Sequence, residues 1–134
     1  MKFFSPYFAE CQDYQNLTSS HRKTTQGIGD GVNVYCDQSL GPGWFRFQGD
    51  AGTKMPTSCV SENHCGTNAP GWLNGAHPTV AEGQVSRQVC FTWLANCCYF
   101  AINIQVRNCG SYFVYFISGT PPSNPCYLGY CGTD

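Results

Sequence analysis

Ten of the 134 residues are cysteines, and two of them, Cys97 and Cys98, are adjacent. An even number of cysteines at this density is typical of small extracellular domains that are cross-linked by disulfides in an oxidising compartment. Such domains usually act by presenting a rigid surface and seldom use their thiols in redox chemistry, metal binding or nucleophilic attack. The cysteine content therefore predicts a secreted or extracellular protein that is cross-linked by disulfides.

The composition favours β structure and excludes some partners. The chain has the length of one domain, which at this size buries roughly two thirds of its unfolded surface. It carries 7 basic and 8 acidic residues, and it shows no basic stripe with interleaved aromatics, so we expect no nucleic-acid partner. With 15% aromatic residues, 15 glycines and 8 prolines, short strands and turns are favoured over long helices. We expect a small disulfide-rich fold that is mainly β, with long loops and little helix.

The amino terminus only partly resembles a secretory signal. Met1-Lys2-Phe3-Phe4 supplies a charge and an apolar start, but the apolar run ends at Ser5-Pro6. A signal peptide needs an apolar stretch of about 7–15 residues and a small-residue cleavage site, and this segment has neither. We interpret residues 1–10 as an N-terminal edge, either a truncated signal or the end of a cloned segment. No run of about 18 apolar residues exists, so we expect no membrane span in this chain.

The clearest secondary-structure signal is an antiparallel hairpin over about residues 99–118. Tyr99–Val106 alternates apolar and polar residues, which is the period of a half-buried strand. A turn at Asn108–Gly110 follows. Tyr112–Ile117 is aromatic or β-branched at every position, which predicts a strand that is covered on both faces.

Four further segments have a weaker pattern. Gly43–Phe47 is predicted as a strand, and Val32–Tyr35 is compatible with a short one. Val89–Trp93 fits either a strand or a short helix. Thr120–Pro125 cannot be a central strand because proline lacks the ladder donor. We expect it to form a polyproline-like connector that the last two cysteines pin to the body.

The cysteine and histidine spacings do not match a metal site. A structural zinc site needs two pairs of ligands separated by about two to five residues. The nearest approaches are Cys59–Cys65 with His64, and Cys126–Cys131, and neither matches a known zinc finger. We therefore expect no metal and no cofactor.

No catalytic constellation is apparent either. The chain has no Gly-x-Ser-x-Gly elbow, its even cysteine count leaves no obvious free thiolate, and its carboxylates are scattered. His77 lies in the turn-rich run from Asn74 to Pro78, where a surface or turn-stabilising role is the simplest interpretation. We expect this protein not to be an enzyme.

Two features suggest contact with carbohydrate. Asn16-Leu17-Thr18 is the one Asn-x-Ser/Thr sequence in the chain, which predicts N-linked glycosylation at Asn16. Trp44, Trp72 and Trp93 could stack on sugars or could pack in the core, and the sequence leaves both interpretations open. If the chain binds carbohydrate, the candidate ligand surface consists of Trp72, Asn74 and His77.

Several runs together resemble one known family. These are Gly43–Phe47, Cys65–Pro78, the later cysteines from Cys90, and the closing run Cys126–Cys131. They are similar to the cysteine-rich domain of uromodulin and of the pancreatic zymogen-granule membrane glycoprotein. The resemblance covers residues 11–131 and leaves 132–134 as a tail.

The resemblance implies a secreted, non-enzymatic glycoprotein module that acts as a display head in extracellular recognition, adhesion or innate defence. The implied partners are an extracellular protein or a glycan, with microbial adhesins among the candidates. The alternative function is a carbohydrate-binding domain that uses an exposed tryptophan and histidine surface. Two glycan positions of the family are absent here, because Ala76 abolishes a sequon at Asn74 and Phe116-Ile117-Ser118 contains no asparagine.

The resemblance also implies a disulfide pattern, which the spacing of the cysteines alone could not supply. In this pattern the adjacent cysteines serve two different bridges. The implied pairs are Cys11–Cys109, Cys36–Cys126, Cys59–Cys97, Cys65–Cys131 and Cys90–Cys98.

Overall fold

The computed structural model describes residues 8–28, 34–121 and 126–134. Most of the secondary structure is β, and the described helices are short. The α-helix α1 is a single turn at Ala9–Gln12, and 3-10 turns lie at Ser20–Arg22 and Gly49–Ala51. The strands are β1 (Gln15–Leu17), β2 (Gly43–Phe47), β3 (Ala69–Asn74), β4 (Val85–Trp93), β5 (Asn96–Asn108), β6 (Phe113–Ile117) and β7 (Leu128–Tyr130).

All seven strands belong to one sheet with the order β1-β2-β6-β5-β4-β3-β7. The two outermost strands, β1 and β7, run parallel to their neighbours β2 and β3. The other four pairings are antiparallel. The predicted fold class, mainly β with little helix, is confirmed, and the sheet is mixed rather than purely antiparallel. No helix in the described ranges has the length and apolar character needed to cross a membrane.

The predicted hairpin is formed by β5 and β6, with Val106 opposite Tyr115. Along β5 the predicted inward face is the less exposed one, and it ends in the buried pair Ile104 and Val106. In β6 the consecutive residues Val114 and Tyr115 are both fully buried, as expected for a strand covered on both faces. The hairpin is therefore confirmed.

The weaker predictions have mixed outcomes. The strand at Gly43–Phe47 is β2, and the ambiguous segment at Val89–Trp93 is the second half of β4. Val34 and Tyr35 are not in a strand, while residues 32 and 33 lie outside the described part of the chain. Of the proline connector, residues 122–125 also lie outside it. Residues 1–7 of the N-terminal edge are not described either.

A second hairpin, between β4 and β5, was not predicted. Its tight turn places Leu94 and Ala95 at φ values of 51° and 59°, in the left-handed region that usually favours glycine or asparagine. Ala95 N–H donates to the carboxylate of Glu62 at 2.6 Å. This bond ties the turn to the loop before β3.

The core is divided between two clusters because neighbouring strand residues face opposite sides of the sheet. The larger cluster contains most of the buried apolar side chains, including Leu73 and Phe91. The smaller one contains Trp72 and Cys90, the alternate residues of the same strands, with Val60, Cys65 and Cys131. Disulfide sulfur therefore fills part of the second cluster.

All ten cysteines are bonded, and the five bridges are the pairs that the family resemblance implies. Cys97 and Cys98 project from β5 into separate bridges. Three bridges connect segments more than 60 residues apart, so they hold both ends of the chain on the sheet. The bridges are Cys11–Cys109, Cys36–Cys126, Cys59–Cys97, Cys65–Cys131 and Cys90–Cys98.

A buried ion pair also fixes the amino-terminal segment to β7. The guanidinium of Arg22 donates to both carboxylate oxygens of Asp37, at 2.7 and 2.8 Å. Asp37 also accepts the backbone N–H of Tyr130 at 2.8 Å, and Arg22 donates to the Tyr130 carbonyl at 3.0 Å. This bidentate pair has its remaining hydrogen-bonding capacity largely used, which offsets the cost of burying two charges.

Candidate functional site

Asn16 lies in the middle of the edge strand β1, and its side chain is exposed. Its Oδ1 accepts a hydrogen bond from Nε2 of Gln48. This bond leaves Nδ2, the atom that carries an N-linked glycan, without a partner in the described residues. Thr18, the third residue of the sequon, is exposed as well. The predicted glycosylation site is therefore sterically open.

The three tryptophans lie in three separate places. Trp72 is only 8% exposed, and its Nε1 donates to Thr92 Oγ1 at 3.2 Å and to the Cys97 carbonyl at 2.9 Å. Trp93 is half-buried against Tyr127. Packing is thus the role of Trp72, because a buried indole cannot offer its face to a sugar. This corrects the expectation that Trp72 is exposed in a ligand surface.

Trp44 is half-buried, and its ring packs edge-on against Phe116 with centroids 5.5 Å apart. It borders a groove of about 230 Å³ that Asp13, Tyr14 and Gln15 also line. Of the three indoles, it retains the most contact with an open groove.

His77 is held by β6. Its ring packs on Phe113 with centroids 4.2 Å apart, and its Nε2 lies 2.7 Å from the hydroxyl of Tyr115. That hydroxyl accepts the N–H of Met55 at 2.9 Å, so its own proton is best used as a donor to His77 Nε2. Burial, with Lys54 and Arg87 nearby, lowers the pKa of His77 from 6.5 to about 4. His77 is therefore neutral at physiological pH.

The residues of the predicted ligand surface do not converge. Trp72 is in the smaller cluster, whereas His77 packs against Tyr115 of the larger one. Asn74, at the end of β3, is exposed and donates to Gln88 Oε1 at 2.9 Å. The three side chains therefore do not form one continuous binding surface.

The described residues offer little for metal chemistry. Within residues 8–28, 34–121 and 126–134 no group of three or more histidine, cysteine, aspartate or glutamate side chains is placed to hold a metal ion. Every cysteine is in a disulfide, so none presents a thiolate.

A cleft of about 480 Å³ lies beside His77, and no sequence pattern indicated it. One wall is the segment Lys54–Ser61, and the others are supplied by Thr24, His64, His77 and Thr133. We call it the Lys54 cleft. Its segments are distant in sequence and match no motif. The only available signal was the density of hydroxyl residues between positions 53 and 61.

Comparisons with known proteins agree with the cysteine framework. The family model of the uromodulin-like cysteine-rich domain matches residues 45–132. The chain is 42% identical over 128 residues to the pancreatic secretory granule membrane major glycoprotein GP2 of Mus musculus, which covers 92% of the chain and 23% of that relative. GP2 of Canis lupus familiaris is 45% identical over 122 residues, covering 90% of the chain and 23% of the relative.

Uromodulin of Mus musculus is 41% identical over 122 residues, which is 90% of the chain and 18% of that relative. The chain thus spans less than a quarter of the length of these relatives. The resemblance inferred from the cysteine and tryptophan runs is confirmed.

Proposed function

Because the chain belongs to the family of uromodulin-like cysteine-rich domains, we propose that it is an extracellular, non-enzymatic recognition module that displays a glycan at Asn16. The single observation that carries the proposal is the open position of Asn16 on the edge strand. The disulfides and the absence of a free thiol support an oxidising, extracellular location. The names of the GP2 relatives describe glycoproteins.

Display from this position has a physical rationale. A glycan attached to Nδ2 of Asn16 would extend from the outermost strand, where no neighbouring strand restricts it. The attachment point itself is held firmly, since β1 pairs with β2 and Cys11 joins the preceding turn to Cys109. A rigid attachment leaves the sugar as the only flexible part that a partner must order.

We propose that the partner is a glycan-binding protein, with mannose-binding microbial adhesins as the first candidates. The test uses the chain secreted from cells that retain oligomannose glycans, with a purified mannose-binding adhesin as probe. Asn16→Gln and Thr18→Ala each remove the sequon, and Asn103→Gln is the matched control, since Asn103 is exposed but outside any sequon.

We expect binding by the unaltered chain and by Asn103→Gln, and loss of binding by both sequon variants. Binding that survives loss of the sequon would contradict display from Asn16, and so would a secreted chain with no glycan there. The alternative of sugar binding through Trp72 has no support from its position, because the indole is buried and hydrogen-bonded.

A further inference from the structure

The Lys54 cleft has a wall that is fixed at four successive points. Thr53 and Lys54 exchange backbone hydrogen bonds with Thr133, at 2.8 to 3.2 Å. Met55 N–H donates to Tyr115, and the Pro56 carbonyl accepts from Leu73 N–H at 2.8 Å. Cys59 is then bonded to Cys97. A wall held in this way is preorganised, so a ligand would not pay for ordering it.

Between these anchors the wall presents polar groups that have no partner. Thr57 and Ser58 are exposed, and their hydroxyls make no hydrogen bond within residues 8–28, 34–121 and 126–134. The ammonium of Lys54 likewise makes no ion pair there. Each of these groups can donate to a ligand without first breaking a contact in the protein.

The charge of the cleft is positive. Lys54 is its only formally charged lining residue, and no aspartate or glutamate lines it among the described residues. The nearest acid along the chain, Asp134, is adjacent to the lining residue Thr133, but its carboxylate pairs with Lys23 at 3.0 Å. An anionic group is therefore attracted to Lys54 without an opposing carboxylate in the wall.

The two histidines complete the hydrogen-bonding walls. Nδ1 of His64 lies 2.9 and 3.1 Å from two backbone carbonyls, which can only accept, so Nδ1 carries a proton. The proton of Tyr115 on His77 Nε2 leaves Nδ1–H of His77 as its remaining donor. Pro56 and Val60 add an apolar part to the same wall.

From this combination we propose that the Lys54 cleft binds a sugar that carries a carboxylate. The carboxylate pairs with the ammonium of Lys54, and the sugar hydroxyls exchange hydrogen bonds with Thr57, Ser58 and the histidine edges. The carbon-bound faces of the sugar lie against the apolar part of the wall. The volume is within the range of about 300–1,000 Å³ that is usual for small-ligand sites.

This inference is independent of the glycan at Asn16 and is tested without it. The protein is the full, disulfide-bonded chain with Thr18→Ala, labelled with ¹⁵N and secreted. The probes are N-acetylneuraminic acid and glucuronic acid at millimolar concentrations, with the N-acetylneuraminic acid methyl ester and mannose as uncharged controls. The readout is the shift of backbone amide resonances.

We expect the acidic sugars to shift amides of Lys54–Ser61 and Thr133, and the uncharged sugars to bind about tenfold more weakly. Lys54→Met should weaken binding by about tenfold. Lys23→Met is the matched control, because it removes the same charge from a lysine that is already paired, and it should change affinity less than about twofold. Ser58→Tyr should abolish binding by filling the cleft.

The sources of the sugar are separated by a second titration with a sialylated trisaccharide. Tighter binding than that of the monosaccharide assigns the cleft to the end of a partner glycan, and equal binding assigns it to the free acidic sugar. The proposal is overturned if no amide shifts at millimolar concentrations, if the shifts lie outside the cleft, or if the ester and mannose bind as well as the acids. Equal effects of Lys54→Met and Lys23→Met would overturn it as well.

Discussion

The hydroxyl of Tyr115 lies 2.7 Å from Nε2 of His77 and connects the buried strand β6 to the loop that follows β3. The same hydroxyl accepts the backbone N–H of Met55 at 2.9 Å. Burial raises the pKa of Tyr115 far above its ordinary value, so the hydroxyl remains protonated. One side chain thereby positions two walls of the Lys54 cleft.

Replacing Tyr115 by phenylalanine should destabilise the fold by about 2 kcal/mol, because the N–H of Met55 is then buried without its acceptor. The free energy of unfolding from denaturant titration measures this loss. Tyr99→Phe is the matched control, since Tyr99 is 48% exposed, and it should cost less than about 0.5 kcal/mol. Equal stability of the two variants would show that the buried hydroxyl bonds contribute nothing.

The lowered pKa of His77 predicts a specific loss of stability in acid. Above pH 6.5 the folded and unfolded chains both hold neutral His77, so its ionisation has no effect. Below 6.5 the unfolded chain binds a proton that the folded chain does not bind until about pH 4. Stability therefore falls across this window, by about 2 kcal/mol after a discount for the partly exposed ring.

The measurement for this prediction is the difference between the original chain and His77→Gln, which keeps an acceptor for Tyr115 but cannot titrate. The pKa of His21 is also lowered, by burial first and then by the charge of Arg22, and Asp37 opposes this shift. His21 is present in both proteins, so its contribution cancels. Parallel stability curves between pH 6.5 and 4 would contradict the assignment of a buried neutral His77.

The ion pair of Arg22 and Asp37 should be costly to break from one side. Arg22→Met leaves a buried carboxylate without its cation, and we expect a loss of about 3–5 kcal/mol in the free energy of unfolding. The double variant with Asp37→Leu should recover part of that loss. Recovery will be incomplete because the Tyr130 N–H also loses its acceptor.

Lys23→Met provides the matched comparison, since Lys23 forms an exposed pair with Asp134. Its loss should cost less than about 1 kcal/mol. An Arg22→Met variant as stable as Lys23→Met would show that the buried pair is energetically neutral.

The sequence was informative where the pattern is local. The alternation in β5 and the aromatic run in β6 predict the hairpin because a strand's period is visible in a short window. The turn between β4 and β5 gave no such signal, because Leu94 and Ala95 occupy positions where glycine or asparagine would be expected. Their conformation is stabilised by tertiary contacts, including the bond from Ala95 to Glu62.

Long-range features could not be derived from single-residue patterns. The pairing of β7 with β3 joins residues about 60 positions apart, and both strands are short. The pairing of Arg22 with Asp37 and the walls of the Lys54 cleft likewise depend on the complete fold. The five disulfide pairs came from the family resemblance, since the spacing of ten cysteines does not select among their many possible pairings.

The most direct test of the central claim is glycopeptide mass spectrometry of the chain secreted from mammalian cells, with its disulfides intact until digestion. If the chain is a glycan-displaying extracellular module, the peptide that contains Asn16 will carry an N-linked glycan in most molecules, and no cysteine will react with a thiol reagent before reduction. A secreted, folded chain in which Asn16 is unmodified would contradict the account.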